Sequence, residues 1–257
     1  MTLHLSGNDA ALFCSDMHLD ASEPNKAADF LAQLLLASQD VSHVFLLGDI
    51  FEAWVGDDQA DSVALQTQGT LATLSARGLH VAIIRGNRDF LLGESLPDNV
   101  ARFDWRSIAS LLDDPYRIDC FGQPVLLSHG DAWCSHDHSY QEFRARRNQA
   151  QWRHDFLARS LDDRLDLARQ MRAQSRLETA NKSLYLMDVT QAVVEQAMQT
   201  AKVQCVVHGH THRPARHVWR NGDQELTRWV LPDWTSEPQR GGFLRVRDDG
   251  WQQMGRW

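Results

Sequence analysis

VVHGHTHRP, residues 206–214, ends an apolar run in three histidines, His208, His210 and His212, set at alternate positions around Gly209. Alternating residues that leave a strand point their side chains to one side. The three imidazoles are therefore expected to crowd together unless something between them holds the rings apart, and a metal ion answers that description. The same pattern, an apolar run stopping at a polar turn, recurs in ALFCSDMHLD, HVFLLGDIFE, HVAIIRGNRDF and PVLLSHGD. Each reads as a buried strand. Residues 26–38 and 62–76 lie between such runs and carry helix-compatible patterns, the first announced by Pro24 and Asn25. Strand, helix, strand predicts βαβ units and a mostly parallel sheet.

Every polar turn in this set falls at the carboxyl end of a predicted strand, the rim where α/β sheets bind ligands. The turns offer Asp16 and His18 from D-x-H, Asp49 from G-D, Asn87 from G-N, His129 from H-G-D, and His210 with His212 from H-x-H. These are four imidazoles, two carboxylates and one amide oxygen. Mixed nitrogen and oxygen donors without thiolate suit Mn, Fe or Zn better than Mg or Ca. Seven donors exceed the three of an open single-zinc site, but they fit two adjacent ions if one carboxylate bridges. Two divalent ions less two carboxylates leave about +2 at the site, an excess that attracts phosphate. Any one such motif arises easily by chance; five in order, each behind its own strand, do not.

The net charge of −8 over 257 residues argues against a general nucleic-acid binder. The balance is uneven: residues 139–185 hold nine arginines and one lysine against two glutamates and four aspartates, a local +4 suited to an anionic partner. Residues 139–198 read as long helical stretches without a strand, hence as a helical insertion in a single domain spanning 1–257. Beyond the histidines, HVWR, LTRWVLPDW and GFLRVR alternate, and Asn221-Gly222 and Gly241-Gly242 read as turns between antiparallel strands. The opening MTLHLSGNDAALF has no basic leader, and no window approaches the roughly 18 apolar residues of a membrane span. A cytosolic chain is expected, with Cys14, Cys120, Cys134 and Cys205 reduced and structural. No motif points to a protein partner.

D-x-H, G-D, G-N-x-D, H-G and G-H-x-H, in this order, resemble the calcineurin-like metallophosphoesterase superfamily. That resemblance implies an α/β fold of two stacked mixed β-sheets flanked by helices, here carrying a helical lid. The longer strings SDMHLD, LLGDIFEAWVGDD, IRGNRDFLLG, SHGDAWC, KSLYLMDV and HGHTHRPA look like the branch that acts on UDP-2,3-diacylglucosamine in lipid A synthesis. Carried over motif by motif, the likeness implies one metal on Asp16, His18, Asp49 and His212 and another on Asp49, Asn87, His129 and His210, with Asp49 as the bridge and Mn²⁺ as the preferred ion. It further implies substrate contacts at Asn87, Arg88, Asp137, Ser175, Thr179, Lys182 and His210. The implied reaction is hydrolysis of a diphosphate to UMP and an acylated sugar 1-phosphate, by dimetal-activated water attacking the α-phosphorus, with Asn87 and Arg88 meeting the developing charge. The implied location is the cytoplasmic face of the inner membrane, peripherally bound, with the insertion's arginines on anionic headgroups.

Several positions carry two readings. Phe143, Trp152, Phe156, Leu157, Leu161 and Leu165 either pack the insertion's helices together or line an acyl slot. Arg88 either meets phosphate or forms a surface ion pair with Asp89, and His208, which matches no ligand position, either orients a ligand from behind or is structural. Thr179 stands where the branch often has Asn, and CSHDHSY adds His136 and His138. The competing functions are a phosphoesterase for another nucleotide or phosphodiester, and a non-catalytic scaffold on the same fold. A scaffold is expected to lose ligands, whereas all seven are present.

Overall fold

The computed structural model describes residues 3–97, 101–180 and 187–257, side chains of 178–180 excepted. Its strands in chain order are β1 (Leu3–Leu5), β2 (Ala11–Cys14), β3 (His43–Leu47), β4 (His80–Ile84), β5 (Ser110–Leu112), β6 (Tyr116–Cys120) and β7 (Gln123–Leu127). They continue with β8 (Cys205–His208), β9 (Ala215–Asn221), β10 (Gln224–Val230), β11 (Thr235–Ser236), β12 (Gln239–Arg247) and β13 (Gly250–Arg256). The helices are α1 (Pro24–Ala37), α2 (Ser62–Ala76), α3 (Trp105–Ile108), α4 (His138–Arg147), α5 (Ala150–Leu157), α6 (Leu161–Ala180) and α7 (Gln191–Ala201). Both helices read between the strands are present. Pro24 opens α1, where its missing N–H is no loss, and the Asp61 carboxylate caps α2 by accepting from the Val63 and Ala64 amides at 2.9 Å.

Two mixed sheets result. One runs β11-β12-β2-β3-β4-β5 with β13 also on β12, its β2 to β5 parallel; the other runs β1-β6-β7-β8-β10-β9. Inward side chains of both sheets, including Phe13, Phe45, Leu47 and Ile84 from the first and Ile118, Leu127, Val207 and Trp229 from the second, share one apolar layer. The outer face of the first sheet packs under α1 and α2, and that of the second under α7 through Val194 and Met198. The architecture is therefore helix, sheet, sheet, helix, as the resemblance implied. Parallel strands buried on both faces account for the unbroken apolar runs.

The helical stretch of residues 139–198 divides. Helices α5 and α6 pack toward the first sheet, α4 is held by Arg144 and Arg147 on Asp131 after β7, and α7 belongs to the outer layer of the second sheet. Phe156 and Leu157 are buried in the core beside Trp54, and Trp152 stacks on Phe156 at 5.2 Å and tilts against Phe90 at 5.9 Å. These side chains follow the packing reading rather than the acyl-slot reading, because Phe90 and the Trp54 loop offer them a ready apolar surface.

One turn is corrected. Gly222 does sit in the hairpin between β9 and β10, but Gly241 and Gly242 lie inside β12, paired with Arg256 and Gly255. Gly241 has φ 149°, and a Cβ there would stand 2.5 Å from the Trp234 ring. The glycine makes room for that indole, and the backbone amide of Trp234 donates to the Asp16 carbonyl at 3.1 Å. All four cysteines are free and buried, and burial pushes the Cys120, Cys134 and Cys205 thiols up to about 12.

The long string after β3 is fastened by Asp57, which is 4% exposed. Its Oδ1 accepts from Trp54 Nε1 at 2.9 Å and from the Gly93 amide at 3.1 Å, tying the loop after β3 to the loop after β4. Burial, only partly opposed by these two bonds, raises the carboxyl from 3.8 to about 6. A carboxyl raised in the folded state favours folding while protonated, and that contribution fades as pH rises through about 6. Asp57→Asn retains the accepting oxygen without the charge. Urea unfolding should find the variant equal to the parent near pH 4 and more stable by up to about 2–3 kcal/mol at pH 8; an unchanged difference across that range contradicts the assignment.

Candidate metal centre

Five loops meet at one rim. Asp16 and His18 follow β2, Asp49 follows β3, Asn87 follows β4, His129 follows β7, and His210 with His212 follow β8. Five of these seven, Asp16, His18, Asp49, His210 and His212, have φ between 47° and 67°. A non-glycine residue held there costs about 1 kcal/mol or more, and such residues gather at functional sites. Loop-to-loop backbone bonds hold them. The Asp16 amide donates to Gly48 O at 3.1 Å, His18 to Asp49 O at 3.0 Å, and Gly209 to His129 O at 3.0 Å.

The histidines of VVHGHTHRP do not share one side as strand alternation predicts. Strand β8 ends at His208, and left-handed turns at His210 and His212 send their rings apart. His208 is fully buried, edge-on to Trp133 at 5.6 Å, with Nδ1 on the Gly209 carbonyl at 2.8 Å. It is a packing residue. His210 stands 5.0 Å from the His129 ring, and His212 Nε2 lies 3.1 Å from His18 Nε2. Gly209, between His208 and His210, is required by space: a Cβ would sit 2.0 Å from Ser15 Oγ and 2.2 Å from Asp16 Oδ2.

Two donor groups appear. His212 Nε2 is 3.4 Å from Asp16 Oδ1, and His18 Nε2 is 3.8 Å from the same oxygen. His129 Nε2 is 3.0 Å from Asn87 Oδ1 and 3.6 Å from Asp49 Oδ1. Asp49 Oδ2 lies 4.0 Å from His18 Nδ1, so this carboxylate stands between the two groups. Ligands about 2.1 Å from a common ion stand roughly 3.0–3.4 Å from each other, near the separations seen here.

The donors fit cations on their own chemistry. Asp16 Oδ1 and His18 Nδ1 are buried without a hydrogen-bond partner. Burial pushes Asp49 up, toward holding a proton. His129 is pulled down by burial, yet the Asp49, Asp16 and Asp131 carboxylates outweigh it and hold the imidazole up to about 9. Two carboxylates in a dry pocket call for positive charge, which bound metals supply. The ring orientations are already chosen. His129 Nδ1 donates to the Leu47 carbonyl at 2.9 Å, and His212 Nδ1 faces Asp233 Oδ2 at 3.4 Å, which leaves each Nε2 turned to the donor group.

The substrate candidates are scattered more widely. Arg88 stands on the rim with Nε 3.3 Å from Asp49 Oδ2 and Nη1 paired with Glu52, so its partner is not Asp89. Asp89 turns inward and accepts from the Gly86 and Ile50 amides, both at 2.6 Å, and from the Asp49 amide at 3.3 Å. Asp137 caps α4 by accepting from the Tyr140 amide at 3.2 Å, and Ser175 is exposed on α6. The side chain of Thr179 and the whole of Lys182 lie outside the described residues.

Three supporting residues escaped the sequence reading: Asp89, Asp131 and Asp233. Asp131 Oδ2 accepts from Arg144 Nε and Arg147 Nη2, both at 2.9 Å, and from Tyr140, thereby tying α4 to the rim. The only signal for Asp89 and Asp131 was their place inside G-N-R-D and H-G-D. Asp233 had none, since it approaches His212 from a segment 21 residues downstream.

The calcineurin-like phosphoesterase family model matches residues 11–214, which takes in every candidate ligand. The chain belongs to that family. Among its curated relatives, the UDP-2,3-diacylglucosamine hydrolase of Bordetella pertussis is 41% identical over 243 residues, covering 93% of this chain and 92% of that one. The protein of the same name from Escherichia coli is 39% identical over 240 residues, covering 93% and 96%. That from Chromohalobacter salexigens is 40% identical over 238 residues, covering 93% of each.

Asp49→Ala is expected to lower metal content and activity more than any other single ligand change, because its carboxylate adjoins both donor groups. Elemental analysis giving two metals per chain with near-parental turnover rejects the bridging assignment.

Proposed function

We propose that the chain hydrolyses the diphosphate bond of UDP-2,3-diacylglucosamine, releasing UMP and 2,3-diacylglucosamine 1-phosphate in lipid A synthesis. The carrying observation is identity near 40% to hydrolases of that name over 93% of the chain, a span that includes the rim loops and the helices between them.

Members of the family work with a two-metal centre, and the donors here fit one. Asp16, His18, Asp49 and His212 would hold one ion and Asp49, Asn87, His129 and His210 the other, with Mn²⁺ favoured over Mg²⁺ by the four imidazoles. When bound, the pair supplies Lewis acidity and an activated water at neutral pH. The remaining work falls to the chain. Asn87 and Arg88 present an amide and a planar guanidinium to the phosphate oxygens, and the Arg88 amide donates to Asp49 Oδ1 at 2.8 Å, so a single loop sets both the guanidinium and the shared carboxylate. Asp137, Ser175, Thr179, Lys182 and His210 are assigned to hold the acylated sugar and its phosphate.

The same reading places the protein peripherally on the cytoplasmic face of the inner membrane. No helix among the described residues is long and apolar enough to cross a membrane. Helix α6 instead exposes Leu177 at 66% together with Arg169 and Arg176, a combination suited to an anionic lipid surface.

Incubation of the purified protein with Mn²⁺ and UDP-2,3-diacylglucosamine should yield UMP and the lipid monophosphate by mass spectrometry. Release of UDP, or no turnover, rejects the substrate. Chelator-treated protein should recover better with Mn²⁺ than with Mg²⁺; full recovery with Mg²⁺ alone contradicts the donor argument.

A further inference from the structure

Glu52 belongs to none of the donor motifs, yet it stands where the rim meets the helical insertion. Its carboxylate oxygens are divided between two guanidiniums: Oε2 is paired with Arg88 Nη1, from the loop after β4, and Oε1 with Arg172 Nη2, from α6. Oε2 also lies 3.8 Å from His18 Nδ1. A single side chain therefore links a donor group, the arginine assigned to phosphate, and a helix that starts more than a hundred residues later in the chain.

One carboxylate between two guanidiniums leaves the trio at +1; Asp49 Oδ2 faces Arg88 Nε at 3.3 Å, while on the other side the buried Nε of Arg172 has no hydrogen-bond acceptor. A buried guanidinium donor left unmatched beside a metal-donor rim is suited to accept an anion. Without the carboxylate, the two cations repel each other across a partly buried space where screening by water is weak.

Helix α6 has two moorings of different kinds. Near its start, Arg164 is 2% exposed, donates to Val55 O at 2.6 Å and is ion-paired with Asp58. Two turns further on, Arg172 is moored to Glu52, with Ser175 one turn beyond it. Loss of the second mooring should free the far part of the helix and leave the near part in place.

We propose that Glu52 is a positioning residue that fastens the far half of α6 to the catalytic loop and gathers Arg88 and Arg172 into one cationic pair for the diphosphate of the substrate. The identity of that diphosphate rests on the function proposed above; the fastening does not.

The test uses metal-loaded full-length protein as parent, Glu52→Gln, Glu52→Asp, Arg172→Gln and the Glu52→Gln/Arg172→Gln double variant. Hydrogen exchange read by mass spectrometry should rise about tenfold or more beyond Arg172 in Glu52→Gln while peptides around Arg164 stay at parental rates. Metal content should remain two ions per chain. The kcat/KM for UDP-2,3-diacylglucosamine should fall about tenfold or more, and further than that for bis(p-nitrophenyl) phosphate, with Glu52→Asp recovering part of the loss. The double variant should lose little beyond Arg172→Gln. Parental exchange in the far half of α6 overturns the proposal. So does loss of metal with equal losses on both substrates, which makes Glu52 a support for His18. If the parent fails to turn over the UDP-lipid, the function falls while the exchange measurement still decides the fastening.

Discussion

Two carboxylates, Asp16 and Asp49, are almost completely removed from water at the meeting point of five loops, and the rest of the molecule is arranged around that cost. A buried carboxylate without a cationic or hydrogen-bonded partner is strongly disfavoured. Here Asp16 Oδ2 takes the Ser15 hydroxyl at 2.6 Å and the His210 amide at 2.8 Å, while Asp49 Oδ1 takes the Arg88 amide. Of the other oxygens, Asp16 Oδ1 is left facing the His18 and His212 imidazoles, and Asp49 Oδ2 lies between Arg88 Nε and His18. This half-satisfied arrangement is the mark of a cation site, and a protein with no use for one would gain stability by replacing both residues with apolar side chains.

Holding that arrangement requires rigidity from outside it. Left-handed backbone at five candidate ligands persists only because neighbouring loops over-determine it. Asp89 clamps the β3 and β4 loops through three amides, Asp233 turns His212, and the Leu47 carbonyl turns His129. The two sheets provide the frame. Their shared apolar layer fixes the relative height of the strand ends, and so the distance between the two donor groups.

The insertion is joined to this frame by charge as much as by apolar contact. Arg144 and Arg147 reach Asp131, Arg164 reaches Asp58, and Arg172 reaches Glu52. Much of the basic excess counted in the sequence is thus spent on acids of the catalytic face rather than left for solvent. What remains outward, on α6 above all, sits beside an exposed leucine.

The sequence by itself determined the five strands that lead into the rim loops, both crossover helices and the choice of all seven candidate ligands, because each lies in a local pattern: an apolar run sets the strand, and its polar end sets the donor; the short strands β1, β5, β6 and β11 and the final β13 carry no such pattern and were not read. It did not determine how the donors point. Strand alternation predicts three histidines on one side, but left-handed turns after β8 send His208 into the core against Trp133 and the other two to different donor groups. Nor did it show that Gly241 and Gly242 continue a strand, since the reason is an indole packed above them from another segment. Asp89 as a clamp, Asp233 as a partner for His212, and Glu52 between two arginines were likewise decided by tertiary structure. Each acts on a group distant in the chain, and contact between distant residues leaves no period or spacing in one sequence from which it can be read.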